Sequence, residues 1–110
     1  MPFRVEIARR AQQDLEALYL WVVERAPQQG AAWFNGLERA VLSLEAHPER
    51  CPVAPESLSV ASPIRVLLYG RRASVYRIYF TLDHRAKVVF VVHIRRGAMH
   101  APAPDDLREL

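Results

Sequence analysis

The sequence holds a single cysteine, Cys51. An intrachain disulfide is therefore impossible, and neither a four-cysteine nor a Cys/His zinc framework can be assembled. That absence points to a reducing compartment. Lysine is equally scarce: Lys87 is the only one, so arginine carries almost all the positive charge. The apolar stretch Val88-Val89-Phe90-Val91-Val92 falls far short of the roughly 20 residues that a helix needs to cross a bilayer. The opening Met1-Pro2-Phe3-Arg4-Val5-Glu6 lacks an apolar signal stretch behind a basic start. A soluble, cytoplasmic protein without membrane contact is the expectation. No Gly-rich phosphate loop and no serine-centred nucleophile motif is present. The histidines, at 47, 84, 93 and 100, are too dispersed for a zinc site, and neither a metal nor a cofactor is implied. Internal repeats and low-complexity stretches are absent.

What remains is an ordinary folding composition, 51% apolar and 25% charged over 110 residues. Such a chain makes one domain, 1–110, with residues 98–110 expected as a flexible tail. The net charge of +3 conceals an asymmetry. Residues 1–62 carry six arginines against eight acids, or −2; residues 63–97 carry seven arginines and one lysine against Asp83, or +7; the tail returns to −2. Arginines that merely keep a sheet soluble would account for a scattered charge. A block this dense also fits a polyanionic or acidic partner.

Phe3, Val5 and Ile7 alternate with Arg4 and Glu6, the period-two pattern of a half-buried strand. From Ala8 the period changes. Ala11, Leu15, Leu18, Tyr19, Val22 and Ala26 recur at three- and four-residue steps, predicting an amphipathic helix over 8–26 that breaks at Pro27. A second helical stripe, Trp33, Phe34, Leu37, Ala40, Val41 and Leu44, runs to His47-Pro48, where the residue before proline leaves the helical region. The short joint between them makes an antiparallel helical hairpin. Residues 48–63, with four prolines, read as an irregular return crossing whose Leu58 and Val60 could lie against the domain. Three strands follow, 64–69, 74–82 and 87–95, joined by turns at 70–73 and 83–86. Short turns pair them antiparallel. The order β-α-α-β-β-β predicts an α+β fold, with the helical hairpin packed on one face of a mostly antiparallel sheet.

Several fragments of this order resemble the RelE/ParE family of toxins from toxin–antitoxin pairs. They are Ala11-Gln12-Gln13-Asp14-Leu15 in the first helix and Leu44 to Pro48 at the second helix's end. Ile64-Arg65 opens a strand, Tyr76-Arg77-Ile78-Tyr79-Phe80 forms the next, and His93-Ile94-Arg95-Arg96 closes the last. The resemblance runs from residue 3 to about 97 and implies one of two activities. RelE-like members cut messenger RNA on the ribosome with basic residues of the sheet and no metal. ParE-like members poison DNA gyrase. Either kind is neutralised by a small cognate antitoxin, and an oligomeric assembly with it is implied.

Metal-free RNA cleavage needs activation of a 2′-hydroxyl, charge stabilisation at phosphate and protonation of the leaving oxygen. Arginine suits the second task. By the resemblance, Arg77 matches the central arginine of a RelE-like site, and Arg96, or Arg95 with a register slip, matches the arginine at the end of the last strand. A four-residue turn at 83–86 pairs Leu82 with Lys87 and Arg77 with Val92, which places Arg77 and Arg96 on one face and His93 on the helix side. The departures weigh more. The lysines expected on the strand before the Tyr-Arg run are missing, and in place of a terminal aromatic hydroxyl stands Gly97-Ala98-Met99-His100. His100 suits a proton donor by type alone. The ParE-like reading is therefore preferred. In it Arg65, Arg71, Arg72, Arg77, Arg95 and Arg96 form a positive surface for an acidic antitoxin segment or gyrase; the plain alternative for Arg77 is a salt bridge or a stem packed over the sheet. His93 reads as a buried hydrogen-bonding histidine, Cys51 as incidental, and Tyr19, Trp21, Trp33 and Phe34 as hairpin core. A plain nucleic-acid-binding module is the third reading, disfavoured because no exposed stacking set accompanies the arginines.

Overall fold

In the computed structural model, which describes residues 2–55, 57, 63–70 and 75–97, the hydrophobic periods become the elements they imply. Strand β1 covers Arg4–Ile7, helix α1 Arg9–Arg25, helix α2 Gly30–Leu42, β2 Arg65–Tyr69, β3 Tyr76–Asp83 and β4 Val88–Arg96. One 3-10 turn, Pro27–Gln29, joins the helices, and a second, Ser43–Glu45, extends α2 before Pro48. The sheet order is β1-β4-β3-β2. β2, β3 and β4 form the expected antiparallel meander. β1 joins it in parallel beside β4, pairing Arg4 with Val88 through Ile7 with Val91, and the helical hairpin carries the chain from β1 to β2 at the opposite edge of the sheet. β4 is thus flanked on both sides and buried almost throughout, which accounts for its continuous rather than alternating apolar run.

The helices cover one face. Ala11, Leu18 and Val22 of α1 and Leu37 and Val41 of α2 meet Tyr76, Ile78 and Phe80 of β3 and Val89, Val91 and Ile94 of β4. Full burial of each large side chain here contributes about 1.5–3 kcal/mol. Tyr19, expected in this core, stands outside it at 37% exposure with its ring edge-on to Phe34. The opposite face is not bare. The return crossing lays Ala54 against Ile64, Val66, Tyr79 and Val92. It is fastened by Ala54 N–H to Ile64 O, Val66 N–H to Pro52 O and Ile64 N–H to the Ser57 hydroxyl. Leu58 and Val60, the residues expected to make this contact, lie outside the described residues. No helix among the described residues is long and apolar enough to cross a membrane.

The β3–β4 register departs from the sequence expectation in two steps. Asp83 stays in the ladder, opposite Val88, because its carboxylate accepts the Arg85 and Ala86 N–H groups and Lys87 takes a left-handed φ of 56°. This moves the pairing by two positions and leaves the facing unchanged. A register shift opposite Tyr79/Phe80 then adds the odd step: Phe80 pairs with Val91 but Tyr79 with His93. The extra residue, Val92, is a β-bulge, and an odd step reverses every side chain beyond it. Arg77 consequently faces Arg95, and Tyr76 faces Arg96.

One buried interaction holds this bulge to α1. Asp14 Oδ2 lies 2.6 Å from His93 Nδ1 and accepts the Ile94 N–H at 3.1 Å, while its other oxygen accepts Arg10 Nε at 3.1 Å. His93 is buried and hydrogen-bonded as expected, but it stacks on Tyr79, of the face away from the helices; the bulge reverses the side foreseen for it. Burial pushes the Asp14 carboxyl up, yet the His93 and Ile94 hydrogen bonds and the neighbouring charges outweigh it and leave the group below its ordinary 3.8.

Two predictions follow from the packing. A methyl group at Gly36 would overlap the Tyr69 hydroxyl, which donates to Trp33 O at 3.0 Å. Gly36→Ala should therefore destabilise by about 1–3 kcal/mol, against the 0.5–1 kcal/mol gain usual in a helix interior, and Tyr69→Phe should recover part of that loss; urea unfolding of both variants reads the sign. The second concerns pH. Because the folded Asp14 carboxyl titrates below its unfolded value, its stabilisation is complete above the unfolded pKa and is lost as pH falls through the folded one. Asp14→Asn should cost roughly 1.5–3 kcal/mol at pH 7 and flatten the acid limb of the stability curve. Equal stability at neutral pH would contradict the role given to this pair.

Candidate binding surface

The basic end of the sheet is built where β3 begins and β4 ends. Arg77 and Arg95 are direct cross-strand partners, with Leu68 of β2 opposite Arg77 on its other side. Two like charges in this position repel, and the surrounding groups compensate. Arg95 is drawn down to 6% exposure. Its Nε donates to the Tyr79 hydroxyl at 3.0 Å and one terminal nitrogen to Arg96 O. Tyr79 in turn stacks on His93, the rings 5.8 Å apart at 21°. Side chains thus run continuously from Asp14 on α1 through His93 and Tyr79 to Arg95. Arg77 is half-buried, and its Nε finds no hydrogen-bond partner among the described residues. That nitrogen is itself out of reach of solvent, so an incoming carboxylate or phosphate would meet only the remaining edge of the guanidinium.

Arg96 belongs to the other face. The bulge turns it toward the helices, where its guanidinium lies 4.1 Å from the Trp21 ring centroid. Arg25, one helical turn after Trp21, lies at the same distance from the same ring and donates to Trp21 O. Trp21 is accordingly half-buried, packed against the helix-face core on one side and covered by two arginines. Arg77 and Arg96, expected on one face, are separated by the bulge. Arg65 is occupied too, donating to the carbonyls of Glu49 and Cys51 at 3.2 and 2.7 Å, which ties β2 to the return crossing. Arg71, Arg72 and His100 lie outside the described residues.

Three of the six sequence-selected arginines therefore end the sheet together but on two faces, and Arg65 serves the loop. Arg25 and Trp21 were missed as a pair. Arg25 sits in the segment whose net charge is negative, although the four-residue spacing from Trp21 to Arg25 was a readable signal, since such residues meet on a helix. Lys87 is remote from this surface, with its ammonium 4.9 Å from the Phe3 ring beside the β3–β4 turn. Burial pushes the Tyr76 phenol up, against the pull of Arg96, and burial likewise pushes the Cys51 thiol up against Arg50 and Arg65. Neither is a ready nucleophile. Among the described residues no three His, Cys, Asp or Glu side chains gather where a metal ion could be held.

The chain matches a family model described as the ParE toxin of the type II toxin–antitoxin system parDE, over residues 5–101. It is similar to Toxin RelE1 of Caulobacter vibrioides, with 34% identity over 93 residues, covering 77% of this chain and 100% of the relative. Among solved structures, a chain of the chromosomal ParDE system from P. aeruginosa superposes with a TM-score of 0.65 at 18% identity, covering 86% of this chain and 95% of that one. A mutant of the E. coli toxin RelE in the free state gives 0.60 at 16% identity, covering 89% and 86%. The RelBE2 toxin–antitoxin complex of Mycobacterium tuberculosis gives 0.53 at 22%, covering 90% and 95%. These structural likenesses carry the fold, and the family model carries the membership: this chain belongs to the ParE toxin family of type II toxin–antitoxin systems.

Proposed function

We propose that this toxin arrests growth in the cytoplasm by binding and poisoning DNA gyrase, and that a cognate antitoxin neutralises it within a joint oligomeric assembly. The observation that carries the reading is the separation of Arg77 from Arg96 by the β4 bulge. Metal-free RNA cleavage needs several charged groups converging on one phosphate, with a proton donor beside them. Here Arg95 is bound to Tyr79, Arg96 is turned to Trp21, and the single lysine stands at the β3–β4 turn. His93, stacked on Tyr79, is occupied by Asp14. Binding asks less of these groups, since exposed guanidinium edges can steer and fix an acidic surface without convergence. The family match to the ParE toxin of a type II toxin–antitoxin system and the toxin–antitoxin complex among the structural relatives support the antitoxin.

A second reading has an observation of its own. Arg77 and Arg95 are adjacent on one face, and the curated relative is called Toxin RelE1, so a ribosome-dependent messenger RNA endoribonuclease is the alternative.

Expression without the antitoxin should stop growth. Purified protein should abolish negative supercoiling by gyrase and leave ribosome-bound messenger RNA intact. Cleavage of that RNA, lost in Arg77→Ala, would replace the gyrase reading with the ribonuclease one. Unchanged supercoiling at saturating protein would remove gyrase as the target.

A further inference from the structure

The register that splits the arginines rests on two residues. Val92 bulges with its side chain already in the cluster of Tyr79, on the face away from the helices. Were it to pair with Tyr79 instead, the ladder would run straight, with His93 opposite Ile78, Ile94 opposite Arg77 and Arg95 opposite Tyr76. Every side chain beyond Val92 would change face. For Arg95 and Arg96 that change only exchanges one arginine for another, with no alteration in charge or volume on either side. Val91 and Val92 would keep the faces they have. His93 and Ile94 alone oppose it, since Ile94 would leave the helix-face core and His93 would enter it.

The backbone itself favours the straight ladder. A bulge leaves one residue unpaired, and β4 is buried almost throughout, where unpaired groups are costly. What holds the bulge is the carboxylate of Asp14. Val91 O is directed toward β1 and accepts the Ala8 N–H at 2.8 Å. From there the N–H groups of an unbulged strand alternate in direction, so the His93 N–H would point to that side and the Ile94 N–H to β3. Asp14 could then no longer hold the His93 ring and the Ile94 N–H together, as it does at 2.6 and 3.1 Å. That double contact exists in the bulged register alone.

We infer that β4 has a second, unbulged register, and that the Asp14–His93 tie is the latch that selects the bulged one. In the second register Arg96 shares a face with Arg77, and Arg95 moves to the helix side opposite Tyr76. A single tie to the first helix therefore governs which arginine stands with Arg77. The inference concerns the conformations of the chain and holds whichever target the toxin acts upon.

Nuclear magnetic resonance of the full-length protein distinguishes the registers by cross-strand backbone contacts. Tyr76 lies opposite Arg96 in the bulged register and opposite Arg95 in the other. Combining His93→Ile with Ile94→His keeps the composition and gives the unbulged ladder the apolar side chain it needs at position 93. This double variant should place Tyr76 opposite Arg95. A folded double variant with Tyr76 still opposite Arg96 would overturn the inference. Asp14→Asn gives a second measurement that does not depend on the double variant folding. Chemical exchange at the amides of residues 93–96 should reveal the second register at roughly ten times its wild-type population or more, the factor expected from losing one charge-assisted hydrogen bond. Phe3→Leu, which loosens the core beside the β3–β4 turn, should leave that population unchanged. No rise in Asp14→Asn, or an equal rise in Phe3→Leu, would equally overturn it.

Discussion

The carboxylate of Asp14 is the group on which the shape of the functional end depends. It reaches past the point where β1 stops and takes His93 Nδ1 and the Ile94 N–H together, at the place where β4 bulges. A bulge leaves backbone groups outside the ladder, and in a buried strand those groups need partners. Asp14 supplies one. The same contact fixes the His93 ring, and through it the stacked Tyr79 and the hydrogen bond to Arg95. A carboxylate on the first helix thereby sets the position of an arginine on the far face of the sheet. It also ties the earliest and latest parts of the fold, 79 residues apart.

That tie joins two fragments that were legible separately. Asp14 belongs to the run Ala11–Leu15 and His93 to the run His93–Arg96, and each was noticed in the sequence for its position in the chain. Their meeting was not readable, because it depends on β1 ending at Ile7 and on the bulge at Val92. The periods of three to four and of two located both helices and all four strands. The stretch Val88–Val92 is apolar at every position, so alternation could not mark an inserted residue there. The turn was also misplaced, since the capping role of the Asp83 side chain keeps Asp83 inside the ladder. Of the two errors, only the odd-numbered one mattered for function.

Its consequence is a division of labour between two faces. The face away from the helices carries a half-buried Arg77 beside Arg95, which is buried against Tyr79. The helix face presents Arg96 with Arg25 on the Trp21 ring. The sequence showed a dense positive block without showing that the block is split, or that Arg25 from the acidic half joins it. Arg65 illustrates the opposite case, a charge that counted toward the block but is engaged by loop carbonyls. Net charge located the surface in the chain, and strand register decided how it is distributed.

The facing of Arg96 decides how the two faces divide, and nuclear Overhauser contacts measure it directly in solution. Contacts from the Arg96 side chain to the indole protons of Trp21, together with ring contacts between Tyr79 and His93, are the expected result. Contacts from Arg96 to Arg77, with none to Trp21, would mean that the bulge is absent and that the two arginines share one face.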